Sequence, residues 1–228
     1  MRIKFGSIVT EGSGKIGGHV AVKNRSGALL RSYSPAIRQN NSSTSKSKSN
    51  MGVVAAAWSA LSASQKTLWN NATSQFRSTD VFGDIKRLSG FSLFQKLNLN
   101  LLICGAALLT LPPSPNLTPL SASPVALEQI FANNMYITLP YVEVDTCFYL
   151  ISAAVNISAG VSFLKNEYRL IYVFDSYPTY QICITNYINA IFGSVGAVGS
   201  RFFCKLVVVN KLSGLASPPG FDNIMITE

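Results

Sequence analysis

Residues suited to catalysis are scarce in this 228-residue chain. Its one histidine, His19, lies in a basic stretch, and no serine occupies a GxSxG turn. Nucleophilic catalysis needs a base within hydrogen-bond reach, and acid–base catalysis commonly uses paired carboxylates. The closest acidic pair, Glu143 and Asp145, is predicted to lie at a strand edge. The sequence therefore predicts a protein that is not an enzyme.

The cysteines show none of the CxxC or Cys–His spacings that are typical of metal sites. Each lies among apolar neighbours, so we predict reduced thiols that serve as small core residues. They are Cys104, Cys147, Cys183 and Cys204. A Cys147–Cys204 disulfide across a β-sandwich is an open alternative. No metal ion or other cofactor is predicted.

The segment Gly12-Ser13-Gly14-Lys15-Ile16-Gly17-Gly18 is superficially similar to a phosphate-binding loop. A P-loop requires GxxxxGK followed by Ser or Thr, between a buried strand and a helix. Here Ile16 follows the lysine, and the flanking residues have an extended pattern. We interpret the glycines as turn residues that also let the backbone approach a neighbouring molecule closely.

The remaining chemistry is electrostatic. Residues 1–50 hold nine basic side chains and one acidic one, a net charge of +8 out of +9 for the whole chain. Such a concentration favours an anionic partner, either an acidic surface on a neighbouring subunit or nucleic acid. The residues predicted to bind this partner are Lys15, Gly17, Gly18, Lys23, Arg25, Arg31 and Arg38.

Non-specific contact with DNA is the alternative for this basic region. Eight net charges could neutralise several phosphates without sequence specificity. However, the only aromatic residues interleaved with them are Phe5 and Tyr33, and the chain has no helix-turn-helix, zinc-finger or RNP signature. We therefore favour docking on protein.

The elements that position these residues change along the chain. Residues 1–38 alternate short apolar and polar stretches with glycines, which predicts an extended arm of one or two β-hairpins without a core of their own. The polar tract 39–50 is predicted to be a flexible linker. Residues 51–110 are predicted to form short helices whose aromatic faces pack together. Five prolines in residues 111–124 predict a semi-rigid spacer.

Two helix caps are predicted within the helical segment. Ser62 followed three residues later by Gln65 is a capping-box arrangement. Ser89 is a second candidate cap, and Gly105 is a natural helix terminator. Trp58 and Trp69 are predicted to be core residues.

Residues 125–228 carry strand signals at intervals of ten to fifteen residues, which is typical of an antiparallel β-sandwich of the immunoglobulin or fibronectin type III kind. The predicted strands are Leu127–Phe131, Met135–Leu139, Cys147–Val155, Tyr168–Phe174, Tyr180–Ile184, Arg201–Asn210 and Ile224–Thr227. The fold class is therefore predicted to be α+β.

Composition bears on partners and location. Only 13% of residues are charged, about half the usual share, so we expect part of the surface to be covered by partners. The N-terminus lacks the features of a secretory signal, and the apolar run 101–111 is too short to cross a bilayer. We expect synthesis in the bacterial cytoplasm and no membrane contact.

Residues 8–115 contain the motifs GKIGGHVA and KNRSG, and a Trp…Leu-Ser…Gln…Trp pattern in residues 58–69. These motifs resemble those of uncharacterised structural proteins of tailed phages that infect Bacteroidota. The resemblance implies a virion location but supplies no catalytic residues.

The prediction is a structural virion component that docks on other capsid, neck or tail subunits, and on copies of itself, through a basic N-terminal arm. The alternatives are an internal protein that contacts packaged DNA, and a host-binding adhesin module.

Overall fold

The computed structural model describes residues 2–4, 11–24, 27–35, 42–76, 78–79, 83, 85–86, 88–114, 126–130, 134–138, 147–175 and 181–227. Helices and antiparallel sheets both contribute to it, which confirms the α+β class. The chain divides into two compact units, residues 1–95 with 110–112, and residues 96–109 with 113–228. No helix among the described residues has the length and apolar character needed to span a membrane.

The first unit contains a four-stranded antiparallel sheet in the order β1–β4–β3–β2. Its strands are β1 (Arg2–Lys4), β2 (Gly14–Ile16), β3 (His19–Asn24) and β4 (Gly27–Ser32). The predicted hairpins are thus present as β2–β3 and β3–β4. Ala21 is the one buried side chain among the described side chains of these strands, so the described side chains form almost no core of their own.

Helix α1 (Ser42–Ala60) corrects the predicted flexible linker over residues 39–50, because the Ser/Lys tract is helical from Ser42 onward. Helix formation is cooperative, so a helix in the alanine-rich stretch before Trp58 extends into residues of lower propensity at little cost. The Ser47 hydroxyl, for example, donates to the carbonyl of Ser43 one turn earlier, at 3.0 Å.

Helix α2 (Ala63–Ala72) begins at the predicted capping box, which is confirmed. The Ser62 hydroxyl accepts from the Gln65 N–H, and the Gln65 side-chain oxygen accepts from the Ser62 N–H at 2.9 Å. Beyond α2 lies a short antiparallel pair, β5 (Ser78–Thr79) and β6 (Ile85–Lys86).

Helix α3 (Gly90–Ile103) begins and ends at the predicted residues. The hydroxyl of Ser89 accepts from the Ser92 N–H at 3.2 Å, which caps the first turn. At the other end, Gly105 has a φ of 76°, and the next N–H donates back to the carbonyl of Leu101.

An aromatic cluster joins the three helices within the first unit. The Trp58 ring centroid lies 5.6 Å from that of Phe91 and 5.2 Å from that of Phe94, and Trp69 meets Phe94 edge-on at 5.2 Å. Trp69 is fully buried, and its Nε1 donates to the carbonyl of Thr110 at 3.1 Å. The predicted packing of aromatic helix faces is confirmed.

The described part of the second unit contains seven strands, and each overlaps a predicted one, although the last was predicted at Ile224–Thr227 and shares only two residues with the observed strand. They are β7 (Ala126–Ile130), β8 (Asn134–Thr138), β9 (Cys147–Ile157), β10 (Arg169–Asp175), β11 (Gln181–Cys183), β12 (Arg201–Asn210) and β13 (Gly220–Met225). They form two antiparallel sheets, with orders β11–β8–β7 and β10–β9–β12–β13.

The two sheets share one hydrophobic core. Met135 on β8, Tyr149 on β9 and Phe202 on β12 are all fully buried in it. A helix that was not predicted, α4 (Thr185–Phe192), contributes Ile188 to the same core. The second unit therefore combines two antiparallel sheets with helix α4 and the C-terminal part of α3.

The alternative of a Cys147–Cys204 disulfide is wrong, because the four cysteines are thiols. Cys147 is the register partner of Asn210, whereas Cys204 is the partner of Ala153. Six residues of β9 separate these two positions, a distance of roughly 20 Å along a strand. A disulfide needs α-carbons within about 7 Å of each other.

Candidate interaction surface

Two of the predicted binding residues lie side by side on the N-terminal sheet. Lys15 on β2 and Arg31 on β4 are both register partners of Val20 on the strand between them, β3. Register partners on antiparallel strands project from the same face of a sheet. Lys15 and Arg31 are both exposed, so two cationic side chains flank Val20 on an open face, which we call the Lys15 face.

Tyr33 completes the Lys15 face, although it was predicted only as a possible base-stacking residue. The Lys15 ammonium lies 4.0 Å from the centroid of its ring, a cation–π contact. The Tyr33 N–H donates to the carbonyl of Gly18 at 2.8 Å, which fixes the backbone beside the β2–β3 turn. The phenol is 48% exposed, so an apolar ring and two cations are presented together.

Lys23 lies apart from this group. Lys23 lies three residues after Val20 on β3. Because successive side chains of a strand point to opposite faces, Lys23 projects from the face opposite to Val20. Its ammonium pairs with the carboxylate of Glu11, and both side chains are more than half exposed. The structure thus does not bring Lys23 together with Lys15 and Arg31.

Gly17 and Gly18 form the two-residue turn between β2 and β3. Gly17 has a φ of 55°, a left-handed conformation that favours glycine. A Cβ added at either position would meet no atom within 4 Å, so the turn is open on its outer side. Of the remaining predicted residues, Arg25 and Arg38 lie outside the described part of the chain.

The chemistry of the Lys15 face is that of anion recognition. Two cations and an aromatic ring suit carboxylates or phosphates that are flanked by apolar groups. His19 is exposed on β3. Among the described residues, no three His, Cys, Asp or Glu side chains lie close enough together to hold a metal ion.

The Lys15 face was only partly accessible from the sequence. Lys15 and Arg31 were predicted from the charge distribution, and their proximity depends on strand register. Tyr33 lies two residues after Arg31, directly after the end of β4, and residues two apart on a strand share a face. This spacing is the one signal in the sequence that places Tyr33 on the Lys15 face. The resemblance to phage structural proteins stays a prediction, since no protein-family model and no curated protein matches the chain.

Proposed function

We propose that the protein is a structural component of a tailed-phage virion that docks on other capsid, neck or tail subunits through its basic N-terminal residues. The observation that carries the proposal is that the N-terminal sheet presents two cations and a tyrosine on one open face, while Ala21 is the one buried side chain among those described in its strands. The favoured partner is an acidic surface of a neighbouring subunit, including a second copy of this chain.

The energetics of the N-terminal sheet support this role. Ordering the backbone costs about 1–2 kcal/mol per residue, and burial of apolar surface normally offsets that cost. In the N-terminal sheet, Ala21 is the one buried side chain among those described, and burial of so small a side chain contributes little stabilising free energy. A surface contributed by another subunit would supply the missing burial and pair the charges of Lys15 and Arg31.

We further propose that the second unit is an immunoglobulin-like or fibronectin type III-like sandwich that acts as a spacer or outer surface. In an immunoglobulin domain of the constant type, one sheet holds the first, second, fourth and fifth strands, and the other holds the third, sixth and seventh. Counted from β7, the two sheets of this unit agree with that division except that the fourth strand, β10, pairs with the third, and their shared core supports the proposal.

The docking proposal is tested by charge reversal in the full chain. We expect Lys15→Glu combined with Arg31→Glu to reduce incorporation severalfold when the variant is expressed with the other structural proteins of the particle. The measurement is the amount of this chain per purified particle. Lys96→Glu combined with Lys165→Glu is the matched control, because it reverses two exposed positive charges outside the N-terminal sheet.

Normal incorporation of the variant with Lys15→Glu and Arg31→Glu would overturn the docking role. The DNA alternative predicts a different pattern, in which the unaltered chain is retained in DNA-filled particles but is absent from particles without a genome. That pattern would also contradict docking on protein.

A further inference from the structure

A cleft of about 480 Å³ opens in the second unit, where β9 ends and β10 begins. Ala154 and Ile157 of β9 contribute apolar walls, and Phe192, the last residue of α4, contributes an aromatic one. The short segment 166–169 also lines the cleft. The volume of the cleft is within the range of small-ligand sites, about 300–1,000 Å³.

The polar groups of the cleft are balanced in charge. Segment 166–169 supplies the amide of Asn166, the carboxylate of Glu167 and the guanidinium of Arg169. The carboxylate accepts hydrogen bonds, the guanidinium donates them, and the amide does both. An anionic ligand would be repelled by Glu167, and a cationic ligand would be repelled by Arg169. Neutral hydroxyl groups both donate and accept hydrogen bonds, so they can bond to the amide, the carboxylate and the guanidinium alike.

Aromatic rings border the cleft and continue beyond it. Tyr168 lines the cleft, and its ring centroid lies 5.8 Å from that of Phe221, which in turn lies 6.1 Å from that of Phe163. Phe163 is 66% exposed and Phe221 45% exposed, an unusual placement for large apolar rings. We call these three residues the aromatic row.

Two cation–π contacts involve rings that line the cleft. The Arg169 guanidinium lies 5.5 Å from the Phe192 ring centroid, and the Lys205 ammonium lies 5.9 Å from that of Tyr168. Burial, with a smaller contribution from Cys204, raises the pKa of Tyr168, and a phenol is protonated at neutral pH in any case, so its hydroxyl can act as a hydrogen-bond donor to a ligand. The site therefore offers aromatic rings, inclined to one another by 46° and 68°, beside neutral or charge-balanced polar groups.

We propose that the cleft and the aromatic row bind a neutral oligosaccharide. One sugar ring occupies the cleft and hydrogen-bonds to segment 166–169, and further rings stack their apolar C–H faces on Phe221 and Phe163. A sugar combines hydroxyl edges with apolar ring faces, which matches this pairing of groups. The inference goes beyond the virion proposal and does not depend on it.

The test is binding of the purified full chain to immobilised oligosaccharides. The probes are neutral oligomers of glucose, galactose, mannose and N-acetylglucosamine, together with the anionic polymers hyaluronate and heparan sulfate. We expect capture by at least one neutral oligomer, with affinity that rises with chain length. Glu167→Ala and Phe221→Ala are each expected to weaken it at least about tenfold.

The controls separate this site from other effects. Lys165→Ala changes an exposed residue next to segment 166–169 and is expected to leave binding unchanged. Glu167 and Phe221 are themselves exposed, so both variants should fold, and near-UV circular dichroism checks this. Failure of every neutral oligomer to bind, binding that survives both substitutions, or capture by the anionic polymers alone would each overturn the proposal.

Discussion

At Gly214 a left-handed backbone conformation and close packing against backbone atoms together leave no room for a side chain. Its φ is 68°, and an added Cβ would collide with the Leu97 carbonyl oxygen and lie 3.2 Å from Cγ of Leu101. We expect Gly214→Ala to lower the free energy of unfolding by more than the roughly 1–2 kcal/mol of a left-handed alanine. Urea denaturation measures the loss.

Gly199 provides the matched control for this substitution. Its φ is 80°, but an added Cβ would meet nothing within 4 Å. Gly199→Ala should therefore show the conformational cost alone. Equal losses for the two variants would contradict the close approach at Gly214.

Ser62 caps helix α2 through a reciprocal pair of hydrogen bonds with Gln65. Removing the hydroxyl leaves an N–H of the first turn without its protein acceptor, which typically costs about 1 kcal/mol. We expect Ser62→Ala to lower the free energy of unfolding by this amount in thermal or urea denaturation. Ser49→Ala, at an exposed position inside α1, should be neutral or slightly stabilising, and an equal loss there would sink the capping argument.

The cysteines should differ in reactivity. Cys183 is exposed, whereas Cys147 and Cys204 are buried. Burial, with a smaller contribution from the Asp175 carboxylate, raises the pKa of Cys104 to about 12, so its thiolate is a minute fraction at pH 8. Burial also raises the pKa of Cys204.

With a chromogenic disulfide reagent at pH 8, we expect one thiol to react rapidly and all four to react in denaturant. Cys183→Ser should remove the fast phase. A fast phase that persists in this variant would show that one of the other three thiols is accessible.

Residue-level features were predictable where they are local in sequence. The Ser62–Gln65 box spans three residues, so its geometry follows once the helix begins, and it was predicted correctly. The contact of Lys15 with Tyr33 depends on the register of β2, β3 and β4, which no local pattern specifies. The cleft at segment 166–169 was missed for the same reason, because its walls come from separate elements.

At the scale of elements, strands were predicted well and two helical segments were not. Strand β12 is rich in valine and phenylalanine, a composition typical of strands, so it was found, although residues on both of its faces are buried. Helix α4 is only eight residues long and rich in isoleucine, a composition that also suits strands. The first half of α1 was predicted as a linker because its composition is polar, although its helicity comes from the residues that follow it.

Helix α1 should be unevenly stable along its length. Val54 is its one buried residue, and Ser42–Asn50 has no fully buried side chain. Helices without a packed face are marginal in water. We expect amides of residues 46–50 to exchange with deuterium at least about tenfold faster than those of the buried stretch Leu93–Leu101 in α3. Similar rates in both stretches would show that the start of α1 is held by contacts that its exposure does not reveal.

At the scale of the whole molecule, charge is the property that is distributed unevenly. Residues 1–50 carry a net charge of +8, and the other 178 residues carry ten basic and nine acidic groups, a net +1. Closely spaced like charges attract a polyanion far more strongly than charges that are balanced by nearby acids. Position in the chain, rather than total charge, should therefore control binding to anionic surfaces.

The effect of charge position on binding is testable with two variants of identical net charge. The first replaces Lys15, Lys23 and Arg31 with glutamine, and the second replaces three lysines outside the basic region, namely Lys66, Lys96 and Lys165. Both lower the net charge from +9 to +6. We expect the first to elute from a heparin column at clearly lower salt than the unaltered chain, and the second to elute close to it. Equal shifts in the eluting salt concentration would mean that binding to anions depends on the total charge and not on the position of the charges. The proposed docking role of the N-terminal residues would then have no electrostatic basis.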